Sequence, residues 1–124
     1  MPAREPTELH QLFIAATNAH DLDALMALYE PQATTTDLEG RTLKNLDELR
    51  GFLGGFLAGV KRLDGGTRRA LVAGDIALLS SSFTATLTTP DGGETQVHGT
   101  SAEVAHRQPD GTWLFLIDDP AFLR

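Results

Sequence analysis

Cysteine is missing from this 124-residue chain, so disulfide staples and thiolate metal sites are both excluded. Aromatic residues are scarce: six phenylalanines accompany a single tryptophan, Trp113, and a single tyrosine, Tyr29. Basic residues are outnumbered, 10 Lys and Arg against 17 Asp and Glu, which leaves a net charge of −7. Such a surface repels phosphate backbones and anionic lipid, so neither nucleic acid nor a membrane is an expected partner. The one basic cluster, Lys61-Arg62 with Arg68-Arg69, is interrupted by Asp64 and reads as a solvated turn. No run of about 18 apolar residues is present to span a bilayer. The opening Met1-Pro2-Ala3-Arg4-Glu5-Pro6 lacks the apolar stretch of a secretory signal, and the expected location is cytoplasmic. No HExxH, Walker or Gly-x-Gly-x-x-Gly motif occurs, so neither a metal nor a cofactor is expected.

What is present suits one domain over residues 1–124, with 41% apolar residues and enough length to bury roughly two-thirds of the unfolded surface. From Thr7 to Ala19, Leu9, Leu12, Phe13 and Ala16 recur at helical spacing. Asp21 is a good N-cap for a second helix carrying Leu22, Leu25, Leu28 and Tyr29, which Pro31 stops near Glu30. The threonine-rich run Ala33 to Asp37 suits a strand. Asn45-Leu46-Asp47-Glu48 resembles a capping box and opens a third helix, its buried stripe running from Leu46 to Val60. Gly51, Gly54, Gly55 and Gly59 interrupt that helix, and close packing against it is the expected reason.

The second half reads as an antiparallel sheet. Arg68 to Ala73 forms a strand, Gly74-Asp75 a tight turn, and Ile76 begins the next strand. There the apolar phase moves from even positions (Ile76, Leu78) to odd ones (Phe83, Ala85, Leu87), which predicts a bulge near Leu79 to Ser81. After the turn Pro90-Asp91-Gly92-Gly93 a long strand runs from about Thr95 to Arg107, and Pro109-Asp110-Gly111 closes the last hairpin. The final strand, Thr112 to Asp118, is apolar on both faces, with Trp113, Phe115 and Ile117 on one and Leu114 and Leu116 on the other. A strand of that kind lies at the sheet centre and is covered on both sides, by helices on one and by a second copy of the chain on the other. A homodimer through the sheet face is therefore expected.

Particular motifs point to a family. Phe13, Ala16, Asn18, Asp21, Asp23 and Leu25 resemble the "aromatic-x-x-A-x-N-x-x-D-x-D-x-hydrophobic" helix pair of the ketosteroid-isomerase and SnoaL-like branches of the nuclear-transport-factor-2-like superfamily. Ala33 to Asp37 is similar to the first strand of that fold, and Asp110-Gly111-Thr112-Trp113 to its closing "DG-x-W" hairpin. The resemblance implies an α+β fold: three N-terminal helices packed on a long, curved antiparallel sheet, forming a cone with a central pocket.

The resemblance also implies candidate catalytic residues. Asp37 stands where ketosteroid isomerase carries the base that removes a proton next to a carbonyl; its alternative role is to start the turn through Glu39-Gly40. The oxyanion-binding tyrosine of that enzyme is replaced by Phe13, which cannot donate, and its carboxylic acid falls on Glu103, whose alternative is to point to solvent. Asp118 matches the late acid–base carboxylate of SnoaL-like cyclases, or else ends a strand before Pro120. Tyr29 offers a hydroxyl near the end of the second helix, a replacement for the donor lost at Phe13 if it points into the cone. Phe13, Phe52, Phe56 and Trp113 are candidate pocket-lining aromatics, with core packing as their alternative. His98 is a candidate ligand contact. It shares a strand face with His106, about 26 Å away, too far for one metal ion. The expected function is a cofactor-free isomerase or cyclase acting on an apolar carbonyl compound; the alternative is a non-catalytic ligand-binding or dimeric association module.

Overall fold

The computed structural model describes residues 2–122, in which three helices and six strands follow one another. Helices α2 and α3 start where the sequence supplies a side-chain acceptor for free backbone amides. Helix α1 spans Glu8–Asn18. Helix α2, Leu22–Met26, is capped by Asp21, whose carboxylate accepts from the Ala24 N–H at 3.0 Å. Helix α3, Leu46–Gly59, is capped by Asn45, which accepts from the Glu48 N–H at 2.9 Å, while Glu48 reaches back to the Lys44 N–H at 2.7 Å. Helix α2 is shorter than its sequence pattern indicates. Leu28 and Tyr29 have left it, and Tyr29 opens strand β1, Tyr29–Thr36. Pro31 lies inside that strand, where the pairing register breaks between Tyr29 and Thr34, so its missing N–H costs no ladder bond.

The remaining strands are β2 (Thr42–Leu43), β3 (Val60–Ala73), β4 (Ile76–Thr88), β5 (Glu94–Arg107) and β6 (Trp113–Asp119). They form one curved, open sheet in the order β2-β1-β6-β5-β4-β3. It is mixed, because β1 runs parallel to β6; every other pairing is antiparallel. Strand β6 is central, as its two apolar faces imply. Strand β3 begins at Val60, eight residues before the position expected from sequence, because α3 runs directly into it.

The expected bulge in β4 is absent. The β4–β5 register is continuous from Ile76↔His106 to Thr88↔Glu94, and the odd positions Ala77, Leu79, Ser81 and Ala85 are buried throughout. Ile76 and Leu78 simply face outward, 41% and 51% exposed, so the apparent change of phase was an apolar outer face. The extra residue lies across the ladder, at Arg68 of β3, where Thr67 pairs with Ser81 but Arg69 with Ser80. A second bulge matters more. Phe115 pairs with Ala105, but Ile117 pairs with Val104, leaving Leu116 unpaired. The pleat of β6 therefore reverses: Trp113 and Phe115 are buried on the concave face, Ile117 turns outward, and Asp118 turns inward.

Helices α1 to α3 cover the concave face. Leu9, Leu25, Leu53 and Leu57 meet Ala77, Leu79, Ala105 and Phe115 in one continuous core. Asn18, at the end of α1, binds the edge of β3 as another strand would: its side chain donates to Leu63 O at 2.9 Å and accepts from Leu63 N–H at 2.8 Å. The α3 glycines do not serve close packing. A Cβ built on Gly51, Gly55 or Gly59 meets nothing within 4 Å, and on Gly54 only a Leu22 methyl at 3.8 Å. Gly55 and Gly59 instead face the cavity beneath the helix.

Candidate active site

Helices and sheet do not meet everywhere. Between them remains a cavity of about 510 Å³, within the range that holds a small organic ligand. Phe13 and Ile14 of α1 form one wall, Phe52, Leu53 and Phe56 of α3 another, and Phe83, Ala85 and Leu87 of β4 the floor. Absent glycine side chains keep the α3 wall thin. Val97, His98 and Leu38 border the cavity at exposed positions, whereas its deep end is formed by buried residues, most of them polar.

At that deep end two carboxyl groups meet. The Leu116 bulge sets Asp118 directly opposite Glu103 on the neighbouring strand, both on the concave face and 8% and 4% exposed. The two carboxyl groups are therefore neighbours across the β5–β6 ladder, each with a partner of its own. Tyr29, from β1, donates its hydroxyl to Asp118 Oδ2 at 2.6 Å. His10, from α1, holds Glu103 Oε1 with Nε2 at 2.7 Å and Thr67 Oγ1 with Nδ1 at 2.6 Å. The Phe115 ring packs against both flanking rings, 5.3 Å from Tyr29 and 6.0 Å from His10 between centroids. Next along β4 and β5, the Ser81 and Ser101 hydroxyls bond to each other at 2.5 Å.

Burial pushes the Asp118 carboxyl well above the usual carboxylate range, the neighbouring Glu103 adds to the effect, and the Tyr29 hydrogen bond opposes it only in part. Burial likewise holds the Tyr29 phenol well above its ordinary value, with the Asp118 charge as the second cause. A like charge beside a buried carboxyl group disfavours its ionised form, so both causes act on Asp118 in the same direction. These shifts favour the protonated form of Asp118 and the neutral form of Tyr29. The result is two neighbouring buried carboxyl groups facing a largely apolar cavity.

The candidates from sequence separate clearly in space. Tyr29, Glu103 and Asp118 come together, and Phe13, Phe52 and Phe56 line the same cavity. Asp37 does not join them. Its carboxylate is occupied by the backbone N–H groups of Glu39 (3.0 Å) and Arg41 (2.9 Å) and by Arg41 Nε (3.2 Å). These donors, the Arg41 backbone first, hold Asp37 below the usual carboxylate range, opposite to what a general base needs. It is a turn residue. Trp113 also lies away from the cavity, buried in the core where Ala3 pairs with it. His98 is exposed at the cavity's border, bonded across the strands to Thr84 at 2.8 Å. His106 is on the same outer face and binds Glu30 at 2.8 Å. No cluster of metal-ligating side chains exists among the described residues.

Sequence reasoning missed His10. Its signal was available: His10, Phe13 and Ile14 stand at i, i+3 and i+4, one face of α1, so a residue placing Phe13 in the cavity places His10 there too.

Comparison with known proteins agrees with this architecture. A family profile described as "SnoaL-like domain" matches residues 10–113. No curated protein is significantly similar to the chain. Among solved structures, a ketosteroid isomerase-like protein from Erwinia carotovora atroseptica superposes with a TM-score of 0.81 at 16% identity, covering 91% of this chain and 89% of its own. A nuclear transport factor 2 (NTF2-like) superfamily protein from Salmonella enterica gives 0.77 at 15% identity, over 91% and 84%. A protein with a cystatin-like fold from Caulobacter vibrioides gives 0.75 at 19% identity, over 91% and 83%. At these identities the likeness is one of fold.

Proposed function

The chain belongs to the SnoaL-like domain family, and from that premise we propose that its cavity is the active site of a cofactor-independent acid–base enzyme acting on an apolar carbonyl compound. The observation that carries this reading is the Glu103–Asp118 pair at the foot of an apolar cavity. In the proposed cycle the substrate carbonyl oxygen accepts a hydrogen bond from the protonated Asp118, which Tyr29 orients. Glu103, steadied by His10, removes a proton from the carbon next to the carbonyl, and electron density moves onto the oxygen facing Asp118. Returning the proton to a different carbon completes an isomerisation; loss of a leaving group from the β carbon completes an elimination. Phe13 contributes shape only, and Asp37 takes no part. The name of the ketosteroid isomerase-like structural neighbour is in keeping with this class of chemistry.

Solvent-deuterium uptake into a panel of apolar, enolisable ketones tests the proposal by mass spectrometry. Uptake above the buffer rate, abolished when the protein is unfolded, is the expected result. Saturable binding of the same ketones without uptake would instead support the alternative of a ligand-binding module.

A homodimer through the sheet face goes with this reading. Register aligns Leu71, Leu78, Val104 and Ile117 side by side across four strands of the outer face. Leu71, Leu78 and Ile117 are 50%, 51% and 45% exposed, an apolar row that a second copy would cover. Sedimentation at micromolar concentration is expected to show twice the 13.3 kDa chain mass, reverting to 13.3 kDa in Leu78→Glu. A wild type that sediments only as the single chain would remove the dimer.

A further inference from the structure

The acid–base pair is not closed off at its back. Glu103 is bonded to His10, His10 to Thr67, and the Thr67 hydroxyl reaches Thr7 O at 3.4 Å. Burial falls along this path: Glu103 and His10 are 4% and 6% exposed, Thr67 is half-buried, and Thr7 is exposed. Thr67 does not line the cavity. It sits beside the Arg68 bulge, where β3 passes the start of α1, so the path leaves through the side wall rather than the mouth. An imidazole with a partner on each nitrogen can accept a proton at one while releasing one from the other. We infer that His10 and Thr67 form a proton relay joining the Glu103–Asp118 pair to solvent through the side of the cone, separate from the route the ligand takes.

The strokes balance. Outward, Glu103 gives its proton to His10 Nε2, His10 releases its Nδ1 proton to Thr67 Oγ1, and Thr67 gives its own hydroxyl proton to water. Inward, water returns a proton to Thr67, Thr67 to Nδ1, and Nε2 to Glu103. Each inward stroke restores the tautomer that the previous outward stroke used, so no ring rotation is needed. An occupied cavity with its mouth blocked by an apolar ligand would still exchange protons with solvent.

The inference deepens the acid–base reading, but its test needs no substrate. After a rapid pH jump, time-resolved infrared spectroscopy follows the carboxyl stretch of the pair as it gains or loses its proton. Thr67→Val removes the outer hydroxyl, and His10→Gln keeps a hydrogen-bonding partner for Glu103 without a transferable proton. Each is expected to slow the carboxyl response by about 10-fold or more, with Thr67→Ser restoring the wild-type rate. Equal rates in wild type, Thr67→Val and His10→Gln would overturn the relay and assign exchange to the cavity mouth. A silent ketone panel alongside slowed variants would reject the enzymatic reading while leaving the relay standing.

Discussion

Asp118→Asn is expected to lower solvent-deuterium uptake into the best ketone by about 100-fold or more, the usual weight of a positioned general acid or base. The amide keeps the size of the side chain and can still accept the Tyr29 hydroxyl, but it has no proton to transfer. Glu103→Gln should fall equally far, because the two groups act as a unit and removing either leaves the other without its partner. Asp37→Ala is the informative control. Its carboxylate is spent on three donors within its own turn, so exchange should continue at the wild-type rate. Uptake lost in Asp37→Ala but kept in Asp118→Asn would return the base to the strand end indicated by resemblance and contradict the assignment made from geometry.

Gly65→Ala is expected to be the most destabilising single methyl addition in the chain. Gly65 has φ = +145°, in the region that side-chain-bearing residues avoid. A Cβ there would stand 2.2 Å from Ser82 O and 2.8 Å from Phe83 Cα, both backbone atoms of the paired strand, which cannot turn aside. Backbone strain and overpacking together cost about 3 kcal/mol or more. For a domain of this size that lowers Tm by roughly 10 °C. Gly99→Ala makes a useful contrast. Its Cβ would meet the Phe83 ring at 2.6 Å, but a ring can rotate, so the expected result is a smaller loss of stability with a changed cavity floor. Thermal unfolding of both variants measures the difference; equal melting temperatures would contradict the account.

Helix α1 was legible from its apolar spacing, and α2 and α3 because each begins at a residue with a local physical role. Asp21 and Asn45 cap the amides that the sequence places after them. The hairpin turns were legible for the same reason: Gly74 and Gly111 take positive φ at the bends where their neighbours predict them. Bulges were not legible. From Trp113 to Ile117 every residue is apolar, so a reversal of the pleat at Leu116 leaves no mark in the pattern, although it alone turns Asp118 inward to face Glu103. In β4 the opposite error arose, since outward-facing Ile76 and Leu78 imitate a shift that does not exist. Glu103 and Asp118 could thus be named from sequence while their grouping waited on the register. Asp37 was misplaced because a catalytic strand end and a turn-starting aspartate have the same local sequence, and only the positions of Glu39 and Arg41 N–H separate them.

Asp118, buried beside Glu103, is expected to keep a proton at neutral pH. Static infrared difference spectroscopy between wild type and Asp118→Asn, recorded at pH 7, tests it without any substrate. The expected wild-type spectrum carries the carbonyl stretch of a protonated, buried carboxylic acid, still present well above the pH at which ordinary aspartates ionise and missing from the variant. A wild-type spectrum at pH 7 with every carboxyl group ionised would contradict it.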